Sequence, residues 1–235
     1  MQTIILAGGK GARLKPYTTV FPKPLMPVGD YPILEIVIKQ LAHHGFDQII
    51  MAVGHLKELI IAFLGTGEKW NVQISYSFEK IPLGTAGPLK LIQHLDDQFM
   101  VMNGDILTNM DFYDFFEYHK KTNGVCTISS YKKPVVIDLG VLKKDEHETI
   151  KEYIEKPTLH YDVSMGIYAF HKSVLEYIPD NQYFDFPELI KTLLKKGVRV
   201  SAYPFEGIWM DIGRSEDYEK ANQIFENNKS EFLMT

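Results

Sequence analysis

The sequence predicts an α/β protein built on a Rossmann-like, mainly parallel mixed sheet flanked by helices, with a smaller and more antiparallel lobe. Three observations carry that expectation. Short apolar runs alternate with helically periodic segments through the first half, and such alternation implies right-handed crossovers between parallel strands. From residue 125 onward, strand-like runs follow one another with little helix between them. No repeat, low-complexity stretch or flexible linker divides the 235 residues. They therefore read as one domain, 1–235, with halves of about 1–124 and 125–235.

Residues 2–7 form a buried strand that runs straight into glycines. Residues 32–44 form a helix with Ile33, Ile36, Val37 and Leu41 on one face; Pro32 suits its first turn, where a missing N–H costs nothing. A strand at 47–53, a helix at 56–64, a strand at 72–76, a helix at 86–94 and a strand at 99–103 follow by the same periodicities. Phe112, Tyr113, Phe115, Phe116 and Tyr118 pack a helix against the sheet. The second half reads as strands at 125–131, 136–142, 149–154 and 165–170, a helix at 187–196 and a strand at 198–203. A helix at 215–227 closes the chain, with Tyr218, Ala221 and Phe225 inward.

The net charge of -5 argues against general nucleic-acid binding, while leaving room for a local basic pocket. Cys126 is the only cysteine, which excludes an intrachain disulfide and a thiolate metal cluster and fits a reducing compartment. The N-terminus lacks the pattern of a secretory signal, and no apolar run is long enough to span a bilayer. A soluble, cytoplasmic protein with no membrane partner is expected. The eight histidines show no metal-ligand spacing and no pairing with Cys126.

The most informative stretch is Leu6-Ala7-Gly8-Gly9-Lys10-Gly11-Ala12-Arg13-Leu14. Its glycines let the backbone turn tightly and bring N–H groups close to a ligand, and Arg13 adds a charged fork suited to phosphate oxygens. A P-loop needs lysine followed by serine or threonine, and the dinucleotide loop needs a third glycine where Leu14 stands; neither fits. Taken alone, the loop is equally a sterically demanding turn. Downstream, Pro22 and Pro24 stiffen the backbone around Lys23, a point charge suited to phosphate.

Together, Leu6-Ala7-Gly8-Gly9-x-Gly11-x-Arg13-Leu14-x-Pro16-x-Thr18 and Pro22-Lys23-Pro24-Leu25-x-Pro27-Val28 resemble the sugar-1-phosphate nucleotidylyltransferases. The resemblance continues along nearly the whole chain. It implies that the loop from Leu6 and Ala7 through Gly8, Gly9 and Gly11, with Arg13, Lys23, Glu79, Pro82, Gly84, Thr85 and Gly104, binds the nucleotide. Read by itself, the 79–87 segment is a helix start with Thr85 as cap. Asp105 ends an apolar strand, where ligands gather in α/β sheets, and Asp211 follows a second apolar run. The resemblance implies that this pair holds Mg²⁺, which takes one or two carboxylates plus water and phosphate oxygens; either aspartate alone reads as a turn or cap. It further implies a sugar-phosphate site in the second lobe, formed by Asn103, Gly140, Glu155, Lys156 and Ser164. Without the other motifs, Glu155 and Lys156 would read as a strand-end salt bridge. Ser164 and Met165 stand where many members carry asparagine and a small residue.

The activity so implied is transfer of a nucleotidyl group from a nucleoside triphosphate to a sugar 1-phosphate, with Arg13, Lys23, Asp105 and Asp211 as catalytic residues. The run Pro82-Leu83-Gly84-Thr85-Ala86-Gly87-Pro88-Leu89 looks like that of mannose-1-phosphate guanylyltransferases without their C-terminal β-helix domain. GTP and a mannose- or heptose-type 1-phosphate are the expected substrates, with UTP, dTTP or CTP enzymes and a silent nucleotide-sugar-binding homologue as alternatives. A homo-oligomer is compatible with the sequence.

Overall fold

The computed structural model describes residues 1–234. In chain order its strands are β1 (Gln2–Ala7), β2 (Pro27–Val28), β3 (Tyr31–Pro32), β4 (Gln48–Val53), β5 (Gln73–Phe78), β6 (Gln98–Asn103), β7 (Ile106–Thr108), β8 (Cys126–Val136), β9 (Val141–Lys144), β10 (Ile150–Ile154), β11 (Thr158–His171), β12 (Val200–Phe205) and β13 (Trp209–Asp211). The helices are α1 (Ile33–His43), α2 (Lys57–Leu64), α3 (Phe112–Thr122), α4 (Phe186–Lys195), α5 (Ser215–Asn227) and α6 (Lys229–Leu233).

Seven strands make one sheet in the order β12-β8-β11-β6-β1-β4-β5. β1 runs parallel to β4 and β6, β4 to β5, and β8 to β12, whereas β11 is antiparallel to both of its neighbours. Both faces are covered. Ile5, Met51, Met100 and Met102 face α1 and the buried Phe112, Phe115 and Phe116 of α3. Ile4, Ile50, Phe99 and Val101 face Phe186, Leu189 and Leu193 of α4. Adjacent residues therefore enter opposite cores, which is why these strands read as continuous apolar runs.

Several expectations change. The segment read as a helix at 86–94 is only a 3-10 turn, Gly87–Leu91. The Gln2 side chain donates to the His94 carbonyl (3.0 Å) and accepts from Asp96 N–H (2.9 Å), drawing the chain out of helical register. The strand expected at 125–131 continues as β8 through Lys132, Lys133 and Pro134 to Val136, and of the strand expected at 136–142 only the two ends are strand, in β8 and β9. The ladder of β8 with β12 ends at Tyr131, so Pro134 sits where one side of the strand needs no partner. β11 is likewise longer than the 165–170 expected. Of the aromatic cluster, Tyr113 and Tyr118 are exposed; only the three phenylalanines pack inward.

His119 on α3 is fully buried, with Nδ1 2.8 Å from Thr127 Oγ1. Burial first, then the charge of His171, pushes its imidazole down to about 4. Burial also lowers His44, with the same sign. An unfolded imidazole takes up its proton below about 6.5, and the buried one resists until about 4. Stability contributed at neutral pH is therefore lost as pH falls through that window. His119→Gln should remove about 2 kcal/mol of the stability difference between pH 7 and pH 5. Urea unfolding of both proteins at the two pH values checks this; an unchanged difference would refute it.

Candidate active site

The strand order reverses on either side of β1, and a cleft of about 710 Å³ opens at the carboxyl ends of β1, β4 and β6. Such reversal points are where open α/β sheets receive ligands. Its wall includes Leu6, Ala7, Gly8, Gly9, Gly11, Arg13, Lys23, Glu79, Pro82, Gly84, Thr85, Asn103 and Asp105. Residues scattered over the first hundred positions meet here because three parallel strands end together.

The glycine loop is held from behind. Thr18 Oγ1 donates to the Gly11 carbonyl at 2.7 Å. Gly11 has φ +59°, and a Cβ there would lie 2.8 Å from Thr18 Cγ2. Gly9 is different, since a Cβ would meet nothing within 4 Å. Glu79 closes one side of the cleft: its Oε2 accepts from Leu83 N–H (2.9 Å), while Oε1 faces the Gly8–Gly54 backbone, 3.2 Å from where a Gly54 Cβ would lie. Thr85 does serve as a cap, though for a distant helix. Its Oγ1 accepts from Phe186 N–H at 2.9 Å, at the start of α4. In return Asp185 Oδ1 accepts from Thr85 N–H at 2.9 Å and from Thr85 Oγ1–H at 3.1 Å.

The two aspartates are brought together by β7 and β13, which pair antiparallel with Asp211 opposite Ile106. Asp105 immediately precedes β7, so it becomes a near neighbour of Asp211. Lys23 Nζ lies against Asp105 Oδ2 and 3.8 Å from Asp211 Oδ1. Burial, then the Asp105 charge, pushes the Asp211 carboxyl above its ordinary range, against the pull of Lys23 and Arg13. The Arg13 guanidinium packs over Gly213, where a Cβ would be 3.3 Å from its terminal nitrogen. Asp105 Oδ1 is buried without a hydrogen-bond partner. Two adjacent carboxylates and an orphaned oxygen are the donor chemistry that suits Mg²⁺, with phosphate and water as its other ligands. Among the described residues, no group of three or more His, Cys, Asp or Glu side chains could hold a metal alone.

Gly104 lies behind the wall, its N–H donating to the Leu6 carbonyl at 3.0 Å. Ser164 is off the cleft wall on β11, opposite Ser130 where β8 still pairs with β12, and Gly140, Glu155 and Lys156 are on an arm made by the tips of β8 and β11 and the β9–β10 hairpin. There the Lys156 ammonium pairs with Asp138 at 2.8 Å, and Glu155 accepts from the Tyr153 hydroxyl at 2.8 Å. Gly140 lies under the Tyr153 ring, and Ser164 Oγ is 3.1 Å from the Tyr168 hydroxyl. Asn103 packs on Gly166, joining the cleft floor to β11. The wall also contains Lys10, His55, Ser77, Lys80, Tyr183, Asp185 and Gly213, which sequence reasoning did not single out. Only Asp185 had a signal, an aspartate two residues before a helix-starting proline.

A family model described as "Nucleotidyl transferase" matches residues 2–228. The chain is 36% identical to a UTP--glucose-1-phosphate uridylyltransferase of Synechocystis sp. over 241 residues, covering 94% of this chain. It is 33% identical to a mannose-1-phosphate guanyltransferase of Aspergillus oryzae over 227 residues, covering 93%. It spans 62% of the length of each of these curated relatives. Among solved structures, a candidate glucose-1-phosphate thymidylyltransferase from Bacillus anthracis superimposes with a TM-score of 0.76 at 26% identity, covering 95% of this chain and 94% of that one.

The glycines separate into two kinds. Gly84, at φ +79° with a Cβ position 2.7 Å from the Phe184 carbonyl, should lose about 1–3 kcal/mol of stability as alanine. Gly9→Ala should stay within about 0.5 kcal/mol of the parent, because nothing crowds it. Chemical unfolding of the two variants checks both; equal destabilisation would contradict this division.

Proposed function

Because this chain belongs to the nucleotidyl transferase family, we propose that it joins a nucleoside triphosphate to a sugar 1-phosphate and releases pyrophosphate. The observation that carries the proposal is the Asp105–Asp211 pair, bridged by Lys23, with Lys23 and Asp105 on the wall of the cleft that the glycine loop lines. Lys10, Arg13, Lys23 and Lys80 line that cleft beside Glu79, Asp105 and Asp185, so its wall is cation-rich relative to a chain whose net charge is -5.

A sugar 1-phosphate is already largely ionised near neutral pH, its second pKa being about 6, so its attacking oxygen needs no general base. The protein's task is to align that oxygen with the α-phosphorus and offset crowded negative charge. Arg13 would hold the departing pyrophosphate and Lys23 the α-phosphate. Lys156 would take the attacking phosphate, with Glu155, Gly140, Ser164 and Asn103 about the sugar. Asp105 and Asp211 would hold Mg²⁺, which supplies charge neutralisation between the two substrates. In-line displacement then forms the new P–O bond as the bond to pyrophosphate breaks, with no covalent enzyme intermediate.

GTP and a mannose- or heptose-type 1-phosphate are the substrates we favour. The Pro82–Leu89 motif and the mannose-1-phosphate guanyltransferase relatives support that choice. The uridylyltransferase relative makes UTP with glucose 1-phosphate the second reading.

A pyrophosphate-release assay crossing five nucleoside triphosphates with a panel of sugar 1-phosphates, with magnesium or chelator, tests the proposal. One magnesium-dependent pairing is expected, and Asp105→Asn should lower its rate about 10²–10³-fold. Folded protein that releases no pyrophosphate from any pairing would refute the assignment.

A further inference from the structure

We propose that Lys23 competes with a divalent cation for Asp105 and Asp211, so that the nucleotide recruits the metal by drawing the lysine away. The inference rests on the reading of the two aspartates as metal carboxylates, and assigns Lys23 a second role besides contacting phosphate.

The geometry is specific to this position. The Lys23 side chain is only 11% exposed, and its ammonium contacts Asp105 while lying 3.8 Å from Asp211. It thus sits where a cation shared by both carboxylates would be. Its backbone has little freedom to retreat. Pro22 and Pro24 flank it, and Leu25 N–H donates to the Pro22 carbonyl (2.9 Å) while Met26 N–H donates to that of Lys23 (3.0 Å). Only the side chain can swing. Arg13, packed over Gly213, adds a second positive charge beside Asp211.

A divalent ion entering alone can reach the unpartnered Asp105 Oδ1, but to share both carboxylates it must displace or remain beside the Lys23 ammonium, at a range where like charges repel strongly. A triphosphate resolves the conflict, because its oxygens accept from the lysine and also complete the metal's ligand set. Metal and nucleotide therefore bind with positive coupling, and Lys23 carries it. Deleting the ammonium should have opposite effects on the two ligands: weaker nucleotide, tighter bare metal. A lysine that served only to contact phosphate would leave bare-metal affinity unchanged.

The test uses Mn²⁺ as the probe, titrated by electron paramagnetic resonance against the full chain without nucleotide. Lys23→Met should bind Mn²⁺ about tenfold tighter than the parent or more, within the range usual for coupled sites, and adding Asp105→Asn should abolish the gain. Equal affinities in parent and Lys23→Met, both lost with Asp105→Asn, would overturn the competition while leaving the metal site intact. Binding indifferent to Asp105→Asn in every protein would overturn both readings. A second readout needs no variant at Lys23. Reductive methylation of the parent, followed by mass spectrometry, should label Lys23 slowly and then faster once Mn²⁺ is added. Unchanged labelling at Mn²⁺ levels that saturate an Asp105-dependent site would also overturn the competition.

Discussion

The cleft depends on a ladder of three residue pairs, Trp209–Thr108, Met210–Leu107 and Asp211–Ile106. Two such short strands are not stable by themselves. Here the ladder is clamped at both ends. Ile208 N–H donates to Asn109 Oδ1 (2.7 Å) and its carbonyl accepts from Thr108 Oγ1 (2.8 Å), while Ile212 N–H reaches the Asp105 carbonyl (3.3 Å). The Gln40 amide of α1 ties the Thr108 carbonyl to the helical layer at 2.8 Å, and the Trp209 indole donates to the Met165 carbonyl at 3.0 Å. Two carboxylates far apart in the sequence are thereby held together against their mutual repulsion, with one ammonium between them.

The sheet supplies the rigidity that such a charge cluster requires. Ile4 and Ile5 are both fully buried, one in each core, so the end of β1 cannot shift without disturbing two packed layers. The glycine loop leaves from that fixed point and is tied at Gly11 by Thr18. The opposite wall is tied through Thr85 and Asp185 to α4, which itself packs on the second core. The backbone that lines the cleft is thus immobilised by contacts outside it, leaving N–H groups and side chains at its surface available to a ligand.

What was legible in the sequence follows from how local each feature is. β1, β4, β6 and α1 show their periodicity within a few residues, and the proline-flanked Lys23 and the glycine loop are contiguous motifs. Asp105 and Asp211 were each visible as carboxylates after apolar runs, but their pairing depends on a three-residue ladder that periodicity does not register. The helix expected at 86–94 failed for a similar reason: its competitor is the side chain of Gln2, more than ninety positions away. Asp185 and Tyr183 reach the cleft through a hydrogen-bonded exchange with a loop one hundred residues earlier. Pro134 shows the same limit. Proline is excluded from a strand paired on both sides, and whether β8 is so paired at that point is a tertiary fact.

The two proposed substrates meet unlike surroundings. The residues proposed for the triphosphate sit on the carboxyl ends of strands buried on both faces, whereas Glu155 and Lys156 sit on an arm where β8 and β11 continue beyond the support of β12. Along that arm Val136, Leu139, Tyr153 and Tyr161 are all more than half exposed, so little packing resists its displacement. Lys156 also adopts φ +44°, a backbone that non-glycine residues seldom take, and its charge is engaged by the exposed Asp138. An exposed ion pair of this kind is worth little in water and yields readily to a phosphate, which offers more charge and better acceptors. A rigid cradle and a compliant arm suit the different demands of the two proposed substrates. In the proposed reaction the first would hold a crowded charge in one geometry, and the second would admit a bulky sugar and bring its phosphate to the reacting centre.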